Sequence, residues 1–435
     1  MRWLIGAVAL LAVAIALDLG LFAYAMYALL GVIVASRLLV IGWSGNLLAT
    51  REMSRDRMKI GDKTAVVIVL KNRNRLPIPW LLVEDLLPRS ALAHNPPKLE
   101  ISGRRLKIVS FRGRSRQIIT YQLNCLSRGY YQLGPLVAET GDVFGLYRRY
   151  RVLSEPSFLL VTPEVIPLAG FDIASRRPIG EVRMSHRLFE DPTRIAGVRA
   201  YQPGDPLNRI NWRATARTAV LHSKIYEPST VAGATLLIDF HEQSFAAKDE
   251  PVRSELVVTA AASIAGAILQ MGQQVGLVTN GRDAADRIRT EGWRHDQFVN
   301  RRAALAAGML EKSERLRPVI VPTRRSNTQL TEILHTLARL EKTDGMSFAQ
   351  LVTEAASQLP MSAPVIAILT QVTPEMAVSL GNLRRRGMAV AAIINVFEDY
   401  HFADLSAPLA SERIETRHLK DRAAIPSVCI KCVMR

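Results

Sequence analysis

Ala234-Thr-Leu-Leu-Ile-Asp-Phe240, then Val252 to Met271, then Gln274-Val-Gly-Leu-Val-Thr279 decide the fold of the C-terminal part of this chain. The first run is short, apolar and ends in an acid, as a buried parallel strand does. The second has helical composition and stops at Gly272, a residue suited to the position after a helix. The third reads as another strand. Ala363-Pro-Val-Ile-Ala-Ile-Leu-Thr370, a helical Pro374 to Arg386 stopped by Gly387, and Met388-Ala-Val-Ala-Ala-Ile-Ile-Asn395 continue the series. Further helical stretches fall around Gln297 to Leu310 and Gln329 to Leu340. This alternation predicts a doubly wound parallel sheet over residues 231–435.

Upstream the pattern changes. Thr64-Ala-Val-Val-Ile-Val-Leu70 is rich in β-branched residues and ends at the polar turn Lys71-Asn-Arg-Asn74. Leu81-Leu-Val83, Leu106 to Phe111, Gln117 to Leu123 and Leu159 to Pro163 are further short strands. Short strands separated by turn signals predict an all-β sandwich over 58–163. Residues 164–230 then read as an extended connector, polar and basic from Ala174 to Arg199.

The N-terminus is apolar. Trp3 to Leu17 is uninterrupted, Asp18 breaks it, and Leu19 to Ala35 resumes it before Arg37 and Leu38 to Ile41. A span needs about 20 residues for a ~30 Å hydrocarbon core. The stretch is too long for one helix and slightly short for two, so a tight helical hairpin over 1–48, turning at Asp18-Leu-Gly20, is expected. A secretory signal is the alternative, but a second apolar run follows the first. Arg2 precedes the hairpin and Arg51, Arg55, Arg57 and Lys59 follow it. The excess of cations on cytoplasmic flanks then places two spans in the membrane and the soluble body in the cytoplasm.

With 435 residues the chain has room for about three units of ordinary size. Lys and Arg total 56 against 39 Asp and Glu, a net charge of +17. That excess favours nucleic acid, an anionic membrane surface or an acidic partner. Basic residues recur from Arg104 to Arg116, beside the hairpin, where anionic lipid heads are the expected partner. No recognised nucleic-acid module accompanies the charge, and such binding is not expected. Three cysteines, Cys125, Cys429 and Cys432, are too few for a disulfide scaffold. Cys429-Ile-Lys-Cys432 lacks the second ligand pair that a zinc site needs.

Tyr201-Gln-Pro-Gly-Asp-Pro-Leu-Asn-Arg-Ile-Asn-Trp212, continuing Arg213-Ala-Thr-Ala-Arg217, concentrates turn formers, amides and arginines. It resembles the signature of the bacterial domain-of-unknown-function-58 family. Ser127-Arg-Gly-Tyr-Tyr-Gln-Leu-Gly-Pro135 and Gly141-Asp-Val-Phe-Gly-Leu-Tyr147 resemble two further motifs of that family; their glycines punctuate turns and their aromatics are expected to pack the sandwich. The signature has two readings. In one, Trp212 and Ile210 anchor the connector and Asp205 pairs with Arg209 or Arg213. In the other, Tyr201, Pro203, Gly204, Asp205, Arg209, Asn211, Trp212 and Arg217 form a docking surface.

The resemblance implies a C-terminal von Willebrand factor A-like domain, whose metal motif is Asp-x-Ser-x-Ser at the end of the first strand. Asp239 falls at the first position, but His241 and Gln243 follow in place of serine, and Gln371 stands where an Asp is expected. Magnesium needs hard oxygen ligands, so Asp239 is a degenerate candidate and no cofactor is expected. Ser244 stands one position further on and offers a hydroxyl. The family also implies a MoxR-type AAA+ ATPase as partner. No phosphate-binding loop, dinucleotide fingerprint, nucleophile elbow or zinc-protease motif occurs. A membrane-anchored, non-enzymatic adaptor is therefore expected; a metal-dependent receptor and an envelope-directed enzyme are the alternatives.

Overall fold

The computed structural model describes residues 2–92, 94–145, 147–168, 190–202, 210–228, 233–291, 316–361 and 363–428. Two compact units emerge: Met1–Glu164 with Arg282–Ser313 and His335–Glu341, and Val165–Gly281 with Glu314–Leu334 and Lys342–Arg435. The expected helix at Gln297 to Leu310, part of the connector, and Cys429 and Cys432 lie outside the described residues.

The first unit starts with two apolar helices, α1 (Arg2–Ala16) and α2 (Gly20–Gly45), which pack on each other. Asp18 takes the turn between them at a φ of 54°. α2 is long and apolar enough to cross a membrane, and most of it faces outward. α1 has 15 residues and reaches about 22 Å, short of a ~30 Å core. The last turns of α2 do something else. Val40 and Trp43 are buried in one core with Val66, Ile68 and Leu123.

That core lies between two antiparallel sheets. One has the order β1 (Leu47–Met53), β3 (Lys63–Asn72), β7 (Arg116–Cys125), β5 (Leu99–Gly103). The other runs β10 (Arg148–Ser154), β9 (Leu136–Gly141), β4 (Ile78–Asp85), β6 (Leu106–Phe111). β2 (Arg57–Lys59), β11 (Ser157–Thr162) and β8 (Gly129–Leu133) form a small third sheet. Alternation sets the inner face: Val66, Ile68 and Leu70 of β3 and Ile119, Tyr121 and Leu123 of β7 point inward. The sandwich begins at Leu47 rather than 58, because β1 continues directly from α2 and pairs along its whole length with Val66 to Asn72 of β3.

A polar knot crosses this core. Arg51 Nε donates to Asp85 Oδ2 at 3.0 Å, its Nη2 bonds Oδ1, and its Nη1 donates to Leu133 O at 2.9 Å. Gly134 leaves the room: a Cβ there would come within 2.3 Å of the Arg51 guanidinium. The two glycine-rich motifs pack only in part as expected. Tyr131 is buried, donating to Ser127 O and Arg128 O, but Val143 and Phe144 stand out at the β9–β10 turn, Phe144 70% exposed. Asp142 accounts for this, since its carboxylate accepts from Phe144 N and Tyr147 N and holds the turn outward.

The second unit is built on a six-stranded sheet. β14 (Gly233–Ile238), β15 (Gln274–Thr279), β19 (Val365–Leu369), β20 (Val390–Ile394) and β21 (Glu415–His418) run parallel, as the alternation predicts. The edge strand β17 (Val319–Arg324) is antiparallel to β15, a direction that the hydrophobic pattern does not encode. The order is β17-β15-β14-β19-β20-β21; β16 (Arg282–Asp283) and β18 (Leu340–Glu341) pair with each other in a separate two-stranded sheet of the first unit. The chain leaves β14 toward β15 and later returns to its other side at β19, so the strand order reverses beside the carboxyl end of β14.

Helices cover both faces. Leu237, Ala367, Leu369 and Ile394 pack with Leu351, Leu380 and Leu409. These come from α8 (Phe348–Ala355), α9 (Pro374–Arg385) and α10 (Asp399–Ser411), counted after α3 (Arg89–Leu92), α4 (Trp212–Thr218), α5 (Val252–Gln270), α6 (Ala284–Glu291) and α7 (Gln329–Arg339). The alternate residues Leu236, Ile238, Ile366 and Ile368 turn to the other face, where α5 runs against β14, β15 and β19. α5 is also long and apolar enough to cross a membrane, but most of it is buried and it serves as a core helix.

Candidate functional site

The described part of the signature forms a small helix on a β-ribbon. β12 (Glu190–Ala200) pairs antiparallel with β13 (His222–Pro228), setting Ala200 opposite His222. Ile210 bridges Ser223 and is buried. Asn211 N donates to His222 O at 2.8 Å, and its side chain accepts from Ala214 N, capping α4. Thr215 Oγ1 accepts from His222 N at 3.1 Å, and Thr218 Oγ1 lies 3.2 Å from His222 Nδ1. Ala219 closes the helix in the left-handed conformation, donating to Thr215 O. Tyr201 N donates to Leu221 O at 2.8 Å.

Trp212 departs from the anchoring expectation. It is 68% exposed, whereas Ile210 is 5% exposed. The helix leans on the ribbon through Thr215 and Thr218, small residues that bond His222, so the indole is left outside. Arg213 and Arg217 are exposed beside it, as are Val220 and Leu221. Pro203, Gly204, Asp205 and Arg209 lie outside the described residues, and with them the expected Asp205 pairing. An exposed Trp with neighbouring arginines has the composition from which binding hot spots are made.

The carboxyl ends of the strands hold the second constellation. Asp239 follows β14 and is 1% exposed. Ser244 Oγ donates to its Oδ2 at 2.5 Å, while Asn280 Nδ2 and His241 N donate to Oδ1 at 2.9 and 3.2 Å. The Asn280 amide has one orientation only, because its oxygen takes Phe240 N–H at 2.7 Å and its nitrogen gives to Met346 O at 3.0 Å. An N–H therefore faces Asp239 where a divalent cation would need an oxygen. His241 Nδ1 accepts from Gln243 N. This donor set does not fit magnesium. The hydroxyl in this chain comes from Ser244, one position beyond the pattern. Among the described residues, no group of three or more His, Cys, Asp or Glu is placed to hold a metal.

Two neighbours continue the polar edge. Asn395 follows β20, and its Oδ1 accepts from Arg253 Nη1 at 2.7 Å while its Nδ2 donates to Arg253 O at 2.9 Å. Arg253, at the start of α5, also donates to Leu419 O and Lys420 O, and its guanidinium lies 3.2 Å from the Phe397 ring centroid. Asn280 and Asn395 were not singled out from the sequence; the signal that could have found them is a polar residue at the end of an apolar strand run. Arg253 carried no local signal.

Residues 197–354 match a family model described as a protein of unknown function, DUF58. Over this stretch the chain is similar to the DUF58 family. The match takes in the helix-on-ribbon element, Asp239 and Asn280. The chain is also similar to the uncharacterized protein YeaD of Bacillus subtilis, 27% identical over 286 residues, covering 65% of this chain and 68% of that one. Among solved structures, a CARDB domain of Pyrococcus furiosus PF1109 is similar over 26% of this chain and 91% of its own, with 13% identity and a TM-score of 0.19. Proximal thread matrix protein 1 of the mussel byssus covers 46% of this chain and 44% of its own, with 12% identity and a TM-score of 0.30.

Proposed function

We propose that this DUF58 chain is a membrane-anchored, non-enzymatic adaptor whose exposed Trp212 is the centre of a protein-docking surface. The exposure of Trp212 on a capped, ribbon-mounted helix carries the reading: the indole is 68% exposed, and the exposed Arg213 and Arg217 flank it. The apolar α1–α2 pair supports anchoring in the bacterial cytoplasmic membrane. The cations at Arg2, Arg51, Arg55, Arg57 and Lys59 favour a cytoplasmic body. The strand order and the position of Asp239 support a von Willebrand factor A-like domain that has given up its metal site. The partner class, a MoxR-type AAA+ ATPase, comes from the family resemblance. The donor set at Asp239 speaks against the metal-dependent receptor.

Crosslinking and affinity purification from native membranes tests the proposal, comparing wild type with Trp212→Ala and Asp239→Ala. Recovery of an AAA+ ATPase with wild type and Asp239→Ala, and its loss with a folded Trp212→Ala, is the expected result. Absence of any such ATPase from the wild-type sample sinks the partner assignment. Retention with Trp212→Ala sinks the docking surface.

A further inference from the structure

β3 and β7 pair with Lys71 opposite Arg116, and the loops that leave this end run side by side. Asn72, itself buried, ties them together. Its Nδ2 donates to Leu76 O and Arg112 O at 3.1 and 3.2 Å, and its N–H donates to Ser115 O at 2.9 Å. Arg114 N donates to Asn74 O at 2.8 Å. The loops touch so closely at Gly113 that a Cβ would sit 2.0 Å from Arg75 O. Between them is an open depression of about 540 Å³ lined by Lys71, Asn72, Arg73, Arg114, Ser115 and Arg116. Four cations and no acid line it. The hydrogen-bonded loops thus gather four exposed cations around one depression, a local positive potential that favours an anion.

The position of this depression identifies the anion. Arg73 N donates to Asn46 O at 3.2 Å, Asn46 Nδ2 to Asn74 Oδ1 at 2.7 Å, and Asn74 Nδ2 to Gly42 O. The basic loops are thus fastened to the last turn of α2. The outer face of that helix stays apolar and exposed as far as Leu38, Leu39 and Ile41. From Gly20 to Ile41 it extends about 33 Å, close to a ~30 Å hydrocarbon core. A second contact lies earlier on the same helix: Ser36 Oγ donates to Asp142 Oδ2 at 3.1 Å, and the turn at Asp142 exposes Val143 and Phe144. Ser36 precedes Gly42 by about 9 Å along the helix, so an apolar tip lies on the acyl side and the basic depression at the exit.

We infer that the Lys71–Arg73–Arg114–Arg116 depression binds the phosphate of an anionic lipid headgroup. This rests on the reading of α2 as membrane-embedded. Lipid phosphate at this level meets guanidinium donors in charge-assisted hydrogen bonds. The lipid seats the sandwich on the bilayer at a fixed height.

The test is equilibrium binding of phosphatidylglycerol against phosphatidylcholine to the full chain in neutral detergent micelles, read by native mass spectrometry. Wild type is compared with Arg73→Ala/Arg114→Ala and with a charge-matched Lys248→Ala/Arg386→Ala control. Expected is a phosphatidylglycerol preference that falls about fivefold per lining cation removed and is unchanged in the control. Equal losses in both variants, or none in either, overturn the site. Displacement of the lipid by millimolar inorganic phosphate assigns the depression to free phosphate and overturns the lipid. Alkaline-carbonate extraction of wild-type membranes checks α2 separately: release into the soluble fraction overturns the anchor itself.

Discussion

Tyr121 gives its phenolic hydrogen to Asp85 Oδ2 at 2.6 Å inside the sandwich, on the carboxylate that Arg51 holds from the other side. Burial, and then the Asp85 charge and hydrogen bond, raise the Tyr121 phenol far above its ordinary value of 10.0. A group whose folded pKa is raised contributes stability in full below the unfolded pKa, and that contribution is lost as pH climbs above it. The urea midpoint of the detergent-solubilised chain should therefore fall above pH ~10, by the equivalent of about 1.4 kcal/mol per pH unit. Tyr121→Phe should be less stable than wild type at pH ~8 by about 1 kcal/mol and should lack this alkaline component. Parallel pH profiles for the two proteins would show that Tyr121 does not report this linkage.

Asp239 makes a second, metal-free prediction. Its two oxygens take three donors, so Asp239→Ala leaves the Ser244 hydroxyl and the Asn280 N–H without their acceptor. A loss of about 1–3 kcal/mol is expected for stranding buried polar groups. Asp239→Asn should recover part of it, since an amide oxygen still accepts. Adding magnesium chloride should leave the melting temperature of the wild-type chain where sodium chloride of equal ionic strength leaves it. A magnesium-specific rise that Asp239→Asn abolishes would reinstate the metal site.

The sequence made some of this architecture legible and hid the rest for physical reasons. Val66, Ile68 and Leu70 alternate with outward residues, so β3 was readable. β1 was not, because Leu47-Leu-Ala-Thr-Arg-Glu-Met53 follows an apolar helix without a break and buries the Arg51 side chain. What makes that burial tolerable is Asp85, on another strand. The strands around Asp239 were legible from their apolar runs, but which side chain completes its hydrogen bonds depends on the loop that brings Ser244 back. Trp212 shows the limit most clearly. Trp is highly buried on average, and only the ribbon contacts of Thr215 and Thr218 show why this one is not.

Asn211 and Trp212 are neighbours with opposite expected phenotypes. Asn211→Ala removes the side-chain cap of α4 and should cost about 1 kcal/mol. Hydrogen exchange at Ala214 and Thr215 should quicken accordingly. Trp212→Ala removes a side chain that is 68% exposed and should leave the same amides protected. If Trp212→Ala instead loosens α4 as much as Asn211→Ala does, the indole is a structural element and any loss of partner binding has a trivial cause.

Cys125 separates burial from reactivity. The thiol is fully buried at the end of β7, and burial followed by the nearby Asp62 charge pushes its pKa up to about 11. The thiolate is the reactive species, so the native chain should hold Cys125 unmodified at pH 8. A Cys429→Ser/Cys432→Ser variant leaves it as the single thiol, and maleimide labelling of that variant should be negligible until urea unfolds the sandwich. The labelling midpoint should then coincide with the loss of β-sheet circular dichroism. Rapid labelling of the folded variant would mean that β7 opens locally. As a raised folded pKa also implies, the stability that the protonated thiol contributes should be intact at pH 8 and decline as the pH passes upward toward about 11; Cys125→Ala should remove that decline while creating a small cavity.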